Sequence, residues 1–191
     1  MQSTHFTEIG IPILNIDTEM SEEEHVARIC ANLSGVATHE IETGKCVLND
    51  KHKAAVIQGA KILSDIPYDY LNVIGMPFEE ILASMRRWVT KTVGLDANGH
   101  AKPCVILYDY IKMMSADFLS ADLKEYQALG FITTALKNFM GRFGVGSLCF
   151  VQLNREGIEK EDESAISGSD RIVHYCTSVT IFKKKSDTEK A

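Results

Sequence analysis

The sequence predicts an α/β domain built on a mostly parallel sheet with helices on both faces. Two observations carry this. Several short strand-like runs are almost wholly apolar, as in IPILNI and CVILYD. Stretches with helical spacing separate them. Continuous apolar strands alternating with helices belong to sheets buried on both faces.

The elements follow in order. Ile11–Ile16 is a short run with β-branched residues, so it reads as a strand. Ser21 with Glu24 three residues on is a capping box, which opens a helix. Val26, Ile29, Cys30 and Leu33 then recur at helical spacing. A shorter helical stretch falls around Val36–Thr43, and Asn49 or Asp50 caps another helix. Leu71–Ile74 reads as a strand. Pro77 suits the first turn of the next helix, whose face carries Phe78, Ile81, Leu82, Met85, Trp88 and Val89. Gly94–Lys102 is a polar turn, and Pro103–Asp109 a strand closed by a carboxylate. Asp122–Gly141 has helical periodicity, and glycines at 141, 144 and 146 stop it. Ser147–Gln152 reads as a strand, Arg155–Asp170 as an acidic loop, and Val173–Phe182 as containing a last strand. Residues 1–182 form one expected domain, and 183–191 a charged tail.

Composition narrows the class. The chain has 191 residues, 45% hydrophobic and 24% charged, which is ordinary for a globular domain. No apolar run reaches the roughly 20 residues of a membrane helix, and the polar N-terminus is no signal peptide, so a cytoplasmic protein without membrane partners is expected. The five cysteines have no CxxC spacing, which favours reduced thiols. Net charge of −6 argues against a strongly basic nucleic-acid binder acting alone. The six histidines are scattered without metal spacing and read as surface or incidental residues.

Chemistry is expected at the strand ends. Glu19 follows the first strand, Asp109 closes the third and Gln152 the fourth. Ligands of open α/β sheets bind outside the carboxyl ends of strands. Two carboxylates and an amide at one edge can hold Mg²⁺ beside a nucleotide, polarise a water and sense a phosphate oxygen. Each residue alone also has a plain structural reading, as a turn former or helix cap.

The segments carrying these residues resemble a known family. ILNIDTEMSEEEHVARICANLSG, CVILYDYIKMM, LCFVQLNREG and ISGSDRIVHYCTSVTIF are similar, in that order, to segments of DnaB-type replicative helicases of the RecA fold. The resemblance spans about Ile11 to Phe182. It implies a RecA-like P-loop NTPase core using ATP and Mg²⁺, assembled as a homo-oligomeric hexameric ring on single-stranded DNA in a bacterial or phage-infected cell. It implies Glu19 as the catalytic glutamate, Asp109 as the Mg²⁺ holder through water, and Gln152 as the link from γ-phosphate to DNA loops. Arg155 and Arg171 are weaker candidates for DNA or subunit contact. The loop Glu156–Asp170 would face DNA, yet it carries Glu156, Glu159, Glu161, Asp162 and Glu163, a poor phosphate-binding composition.

The sequence contains no GxxxxGK[ST] loop, the usual cradle for phosphates. The expectation is a core lacking the P-loop strand and helix, with Gln2–Glu8 as that helix's last turn, and lacking the arginine finger. Such a chain is inactive alone, either as a fragment or as a split subunit completed by a separate chain carrying the P-loop. A RecA- or KaiC-like ATPase fragment and a non-catalytic interaction protein remain the alternatives.

Overall fold

A computed structural model describes residues 10–112, 125–152 and 170–182. Its centre is a four-stranded, all-parallel sheet in the order β2-β1-β3-β4. The strands are β1 (Ile13–Asp17), β2 (Tyr68–Asn72), β3 (Val105–Asp109) and β4 (Gly146–Cys149). Six α-helices are described: α1 (Glu22–Ser34), α2 (Thr38–Glu42), α3 (Asp50–Asp65), α4 (Phe78–Trp88), α5 (Glu125–Phe143) and α6 (Asp170–Tyr175). The chain leaves β1 for β2 on one side, then returns past β1 to β3 and β4 on the other. The strand order therefore reverses between β1 and β3, and their carboxyl ends border a crevice.

Local sequence explains the helix boundaries. Ser21 Oγ accepts from the Glu24 amide at 3.2 Å, and Glu24 Oε2 accepts from the Ser21 amide at 2.9 Å. The expected capping box is therefore present, and it fixes the first turn of α1 directly after the Glu19 segment. Gly35 ends α1 in the left-handed region, φ 72°, where a side chain would be strained. Asn49 caps α3 through its side-chain oxygen. Pro77 stands one residue earlier than expected, as the cap of α4.

The alternation of strand side chains separates two faces. Leu14 and Ile16 of β1, with Ile106 and Tyr108 of β3, join the apolar core. There they meet Phe78, Ile81, Met85 and Trp88 of α4 and Leu129, Ile132, Leu136 and Phe139 of α5. The opposite face carries Ile13, Asn15 and Asp17 and is covered by α1, on which α3 packs. Gly59 sits at that packing: a Cβ there would stand in close van der Waals contact, 3.4 Å from the Cys30 carbonyl oxygen and Leu33 Cβ.

Several expectations shift or fail. The second strand runs Tyr68–Asn72 rather than Leu71–Ile74, because Tyr68 to Asn72 pair in register with Ile13 to Asp17. β4 ends at Cys149, so Gln152 lies beyond it. The strand expected within Val173–Phe182 is absent. Asp170–Tyr175 is helix α6, packed on α5, and Cys176 to Phe182 pair with no described strand. Alternating β-branched residues become a strand only beside a free edge, and Val179 and Phe182 remain exposed. The helix expected from Asp122 is described from Glu125 onward, to Phe143. Gln2–Glu8, Arg155 and the loop through Ser169 lie outside the described residues.

Candidate active site

The site is built where β1 and β3 end. Register places Asn72, Asp17 and Asp109 side by side on the three adjacent strands. Past these positions the strands stay tied. The Thr18 amide donates to the Asp109 carbonyl at 2.9 Å, and Thr18 Oγ1 accepts from the Tyr110 amide at 3.2 Å. The Val73 amide donates to the Asp17 carbonyl at 2.9 Å. The peptide between Asp109 and Tyr110 is cis.

A depression of about 180 Å³ opens at this edge, lined by Asp17, Glu19, Met20, Arg28, Asp109 and Tyr110. Pockets for whole small ligands run from about 300 Å³ upward, so these residues frame room for a phosphate group and water rather than a nucleotide.

Glu19 and Asp109 line the depression in different states. Glu19 is held: its Oε1 accepts from Tyr110 OH at 2.9 Å and from Lys112 Nζ at 3.3 Å. The Tyr110 hydrogen bond first, then Lys112, keep its carboxyl below the ordinary glutamate range. The Lys112 ammonium also lies 5.0 Å from the centre of the Tyr110 ring. Asp109 is half-buried, and no described side chain or amide donates to its carboxylate. Burial pushes its carboxyl up, and the negative charges of Asp17 and Glu19 push it further.

That environment fits a hard divalent cation held mainly through water. A half-exposed carboxylate with two more nearby and no local donor gains from a cation. Yet among the described residues no group of three or more His, Cys, Asp or Glu is arranged to hold a metal. A single carboxylate with several retained waters is the usual manner of Mg²⁺.

Gln152 does not join the pair. It is exposed, three residues past β4, and does not line the depression. The Ile111 amide donates to Phe150 O at 2.9 Å, which leads the chain after β4 alongside the one after β3. Gln152 is therefore at the same edge of the sheet without meeting Glu19 or Asp109. Arg171 belongs to α6 by its backbone.

The sequence reading misses the groups behind Glu19. His25 is not a surface residue: it is 7% exposed, on α1, against β1 and β2. Its Nε2 lies 2.7 Å from Tyr68 OH and 3.4 Å from Asn15 Nδ2, and its ring stacks on Tyr70 at 3.9 Å between centroids. Burial first, and then Arg28, lower its pKa, while Asp17 opposes them. The helical face expected from Val26 is rotated: Val26 is exposed, whereas His25 and Cys30 are buried. One signal was available, since His25 stands four residues before Ile29 and so shares its side of the helix. Asp17, Tyr110 and Lys112 neighbour the motif residues in sequence, but only the fold brings the last two to Glu19.

Among the described residues no helix is long and apolar enough to cross a membrane. Three comparisons place this geometry among known proteins. A family model described as "DnaB-like helicase C terminal domain" matches residues 2–183. No curated protein matches the chain by sequence. The solved structures that share the fold include the following two. One is described as an ATPase domain. It aligns with a TM-score of 0.75 at 15% identity, over 91% of this chain and 60% of that one. The other is a DnaB-like replicative helicase described with its interactions with primase. It aligns with a TM-score of 0.72 at 14% identity, over 91% of this chain and 40% of that one. The chain thus spans less than two thirds of the structures it matches.

Proposed function

Because this chain belongs to the DnaB-like helicase C-terminal domain family, we propose that it serves in the nucleotide-hydrolysing core of a replicative DNA helicase. The observation that carries the reading is the convergence of Glu19 and Asp109 at the point where strand order reverses. Asp109 would hold Mg²⁺ through water, and the bound ion would neutralise charge on the phosphates of ATP. Glu19 would orient and polarise the attacking water, its carboxylate held in place by hydrogen bonds from Tyr110 and Lys112. Gln152, just beyond the pair at the same edge, would report the state of the terminal phosphate to segments that touch single-stranded DNA. Arg155 and Arg171 would contact DNA or a neighbouring subunit in a hexameric ring. The setting would be a bacterial or phage-infected cytoplasm.

The 191 residues carry no GxxxxGK[ST] loop. That loop supplies the amide cradle and the lysine for the phosphates. We therefore expect this polypeptide alone neither to bind ATP tightly nor to unwind DNA. A segment carrying such a loop and an arginine finger, in a longer form of this protein or on a separate chain, would complete the site. The test is a fluorescent ATP-analogue titration with Mg²⁺, first on the chain alone and then with a supplied P-loop segment. Binding only after complementation supports the proposal. Steady ATP turnover by the pure 191-residue polypeptide refutes the need for a supplied P-loop segment. Binding in neither case favours a non-catalytic interaction protein.

A further inference from the structure

Glu19 is attached to the sheet by a turn whose backbone is held from two sides. Asp17 Oδ1 accepts from both the Glu19 and the Met20 amides, each at 2.8 Å. The Met20 carbonyl accepts from Tyr70 OH at 2.8 Å and from Asn72 Nδ2 at 2.7 Å. Both amides of the Glu19–Met20 turn and the Met20 carbonyl thus meet side chains of β1 or β2. Asp17 is 2% exposed, an expensive place for a carboxylate that only terminates a strand.

Behind this turn stands His25. Asn15 Nδ2 faces His25 Nε2 at 3.4 Å, and in the tautomer where Nε2 accepts from it the ring proton sits on Nδ1. Nδ1 and Asp17 Oδ2 are both buried without a hydrogen-bond partner, 3.9 Å apart. In that tautomer the Nδ1 proton lies beside the free oxygen of Asp17. The same imidazole stacks on Tyr70, whose hydroxyl holds the Met20 carbonyl. One ring therefore backs both clamps on the turn.

We infer that Asp17 is a positioning residue for Glu19, and that His25, Tyr70 and Asn72 complete a part-buried clamp that sets where the Glu19 carboxylate stands beside Asp109. The inference deepens the proposed function and rests on it for its catalytic meaning. The clamp itself is independent of that reading. Asp17 touches no reacting atom; it acts through the backbone of Glu19.

The test is amide hydrogen exchange, read residue by residue by NMR on the full 191-residue chain. In Asp17→Ala the Glu19 and Met20 amides exchange roughly tenfold faster or more, while β3 amides such as that of Leu107 keep wild-type rates. In Asp17→Asn the remaining carboxamide oxygen still accepts from both amides, and exchange returns towards wild type. Unchanged exchange in Asp17→Ala overturns the inference, and so does Asp17→Asn as fast as Asp17→Ala. If Asp17→Ala does not fold, Tyr70→Phe removes only a hydroxyl and keeps the ring against His25. It should shift the Met20 and Ser21 amide resonances; an unperturbed turn overturns the clamp. A second arm measures ATP turnover in the P-loop-complemented assembly. Asp17→Ala should lower kcat with KM for ATP unchanged, and Asp17→Asn should restore it. Altered exchange with unaltered kcat leaves the clamp standing and removes Glu19 from the chemistry.

Discussion

The two faces of the sheet are built from opposite materials. Towards α4 and α5, Leu14, Ile16, Ile106 and Tyr108 meet apolar side chains almost throughout. Towards α1, the same sheet presents Asn15, Asp17, Tyr68 and Tyr70, and the helix answers with His25. The first face is held by removal of apolar surface from water, which needs shape but little orientation. The second is held by directional bonds, two of whose buried atoms stay unpaired. Burying such groups costs stability unless each finds a partner. Both faces hold orphaned polar atoms, Asp17 Oδ2 and His25 Nδ1 towards α1 and the buried Tyr108 hydroxyl towards α4 and α5, so the difference lies in how much orientation each face demands.

The largest effect that would break the comparison lies on the apolar face. Met85 is fully buried at the centre of α4. Met85→Ala removes its contacts and leaves a cavity, at roughly 2–5 kcal/mol of unfolding free energy. Urea denaturation followed by circular dichroism measures it. The Glu19 and Met20 amides should keep their wild-type resonances in this variant. A large rearrangement of that turn would mean the two faces are not separable.

How legible this division was follows from the kind of interaction on each face. The apolar face was readable because its signals are local: Ile81, Met85 and Trp88 recur at helical spacing, and Cys104 to Tyr108 form a continuous apolar run. The capping box at Ser21 was readable because both partners lie within one turn. The polar face was not, since its contacts join positions far apart: Asn15 with His25, His25 with Tyr68, Tyr70 with Met20. Periodicity puts His25 on the side of Ile29, but nothing local names the Asn15 and Tyr68 side chains that its ring meets. The last strand misled for a related reason. Thr177 to Phe182 have the residues of a strand, but pairing requires an edge that local sequence cannot supply.

A middle-sized effect sharpens the comparison through pH. His25 faces Asp17 from β1, Tyr68 and Tyr70 from β2, and Arg28 on its own helix. Burial lowers its pKa in the fold, so the unfolded chain takes up its proton first as pH falls. The stability linked to His25 is full above the ordinary histidine value, about 6.5. It declines as pH drops below that value towards the lowered folded pKa. His25→Gln keeps a polar side chain and removes this titration. The slope of melting temperature against pH should flatten in that interval relative to wild type, as thermal scans at a series of pH values would measure. An unchanged slope would assign the acid sensitivity to other groups.

The smallest effect lies at the exposed end of the polar face, where the clamp hands over to solvent. Glu19 has a side chain 55% exposed, yet it is tied to Tyr110 and Lys112. The tyrosine hydrogen bond is the leading reason its carboxyl titrates low. Tyr110→Phe removes that donor and leaves the ring beneath Lys112. The Glu19 carboxyl should then titrate closer to an ordinary glutamate, as its ¹³C carboxyl shift against pH would record. Because the group is exposed, the melting temperature should barely move. A shift in titration without a shift in stability would separate two roles along one short segment. The buried part, from Asp17 to Met20, sets position; the exposed part, Tyr110 with Lys112, sets charge. If stability falls as well, the Tyr110 tie belongs to the fold, and the boundary between the two roles moves outward to Lys112.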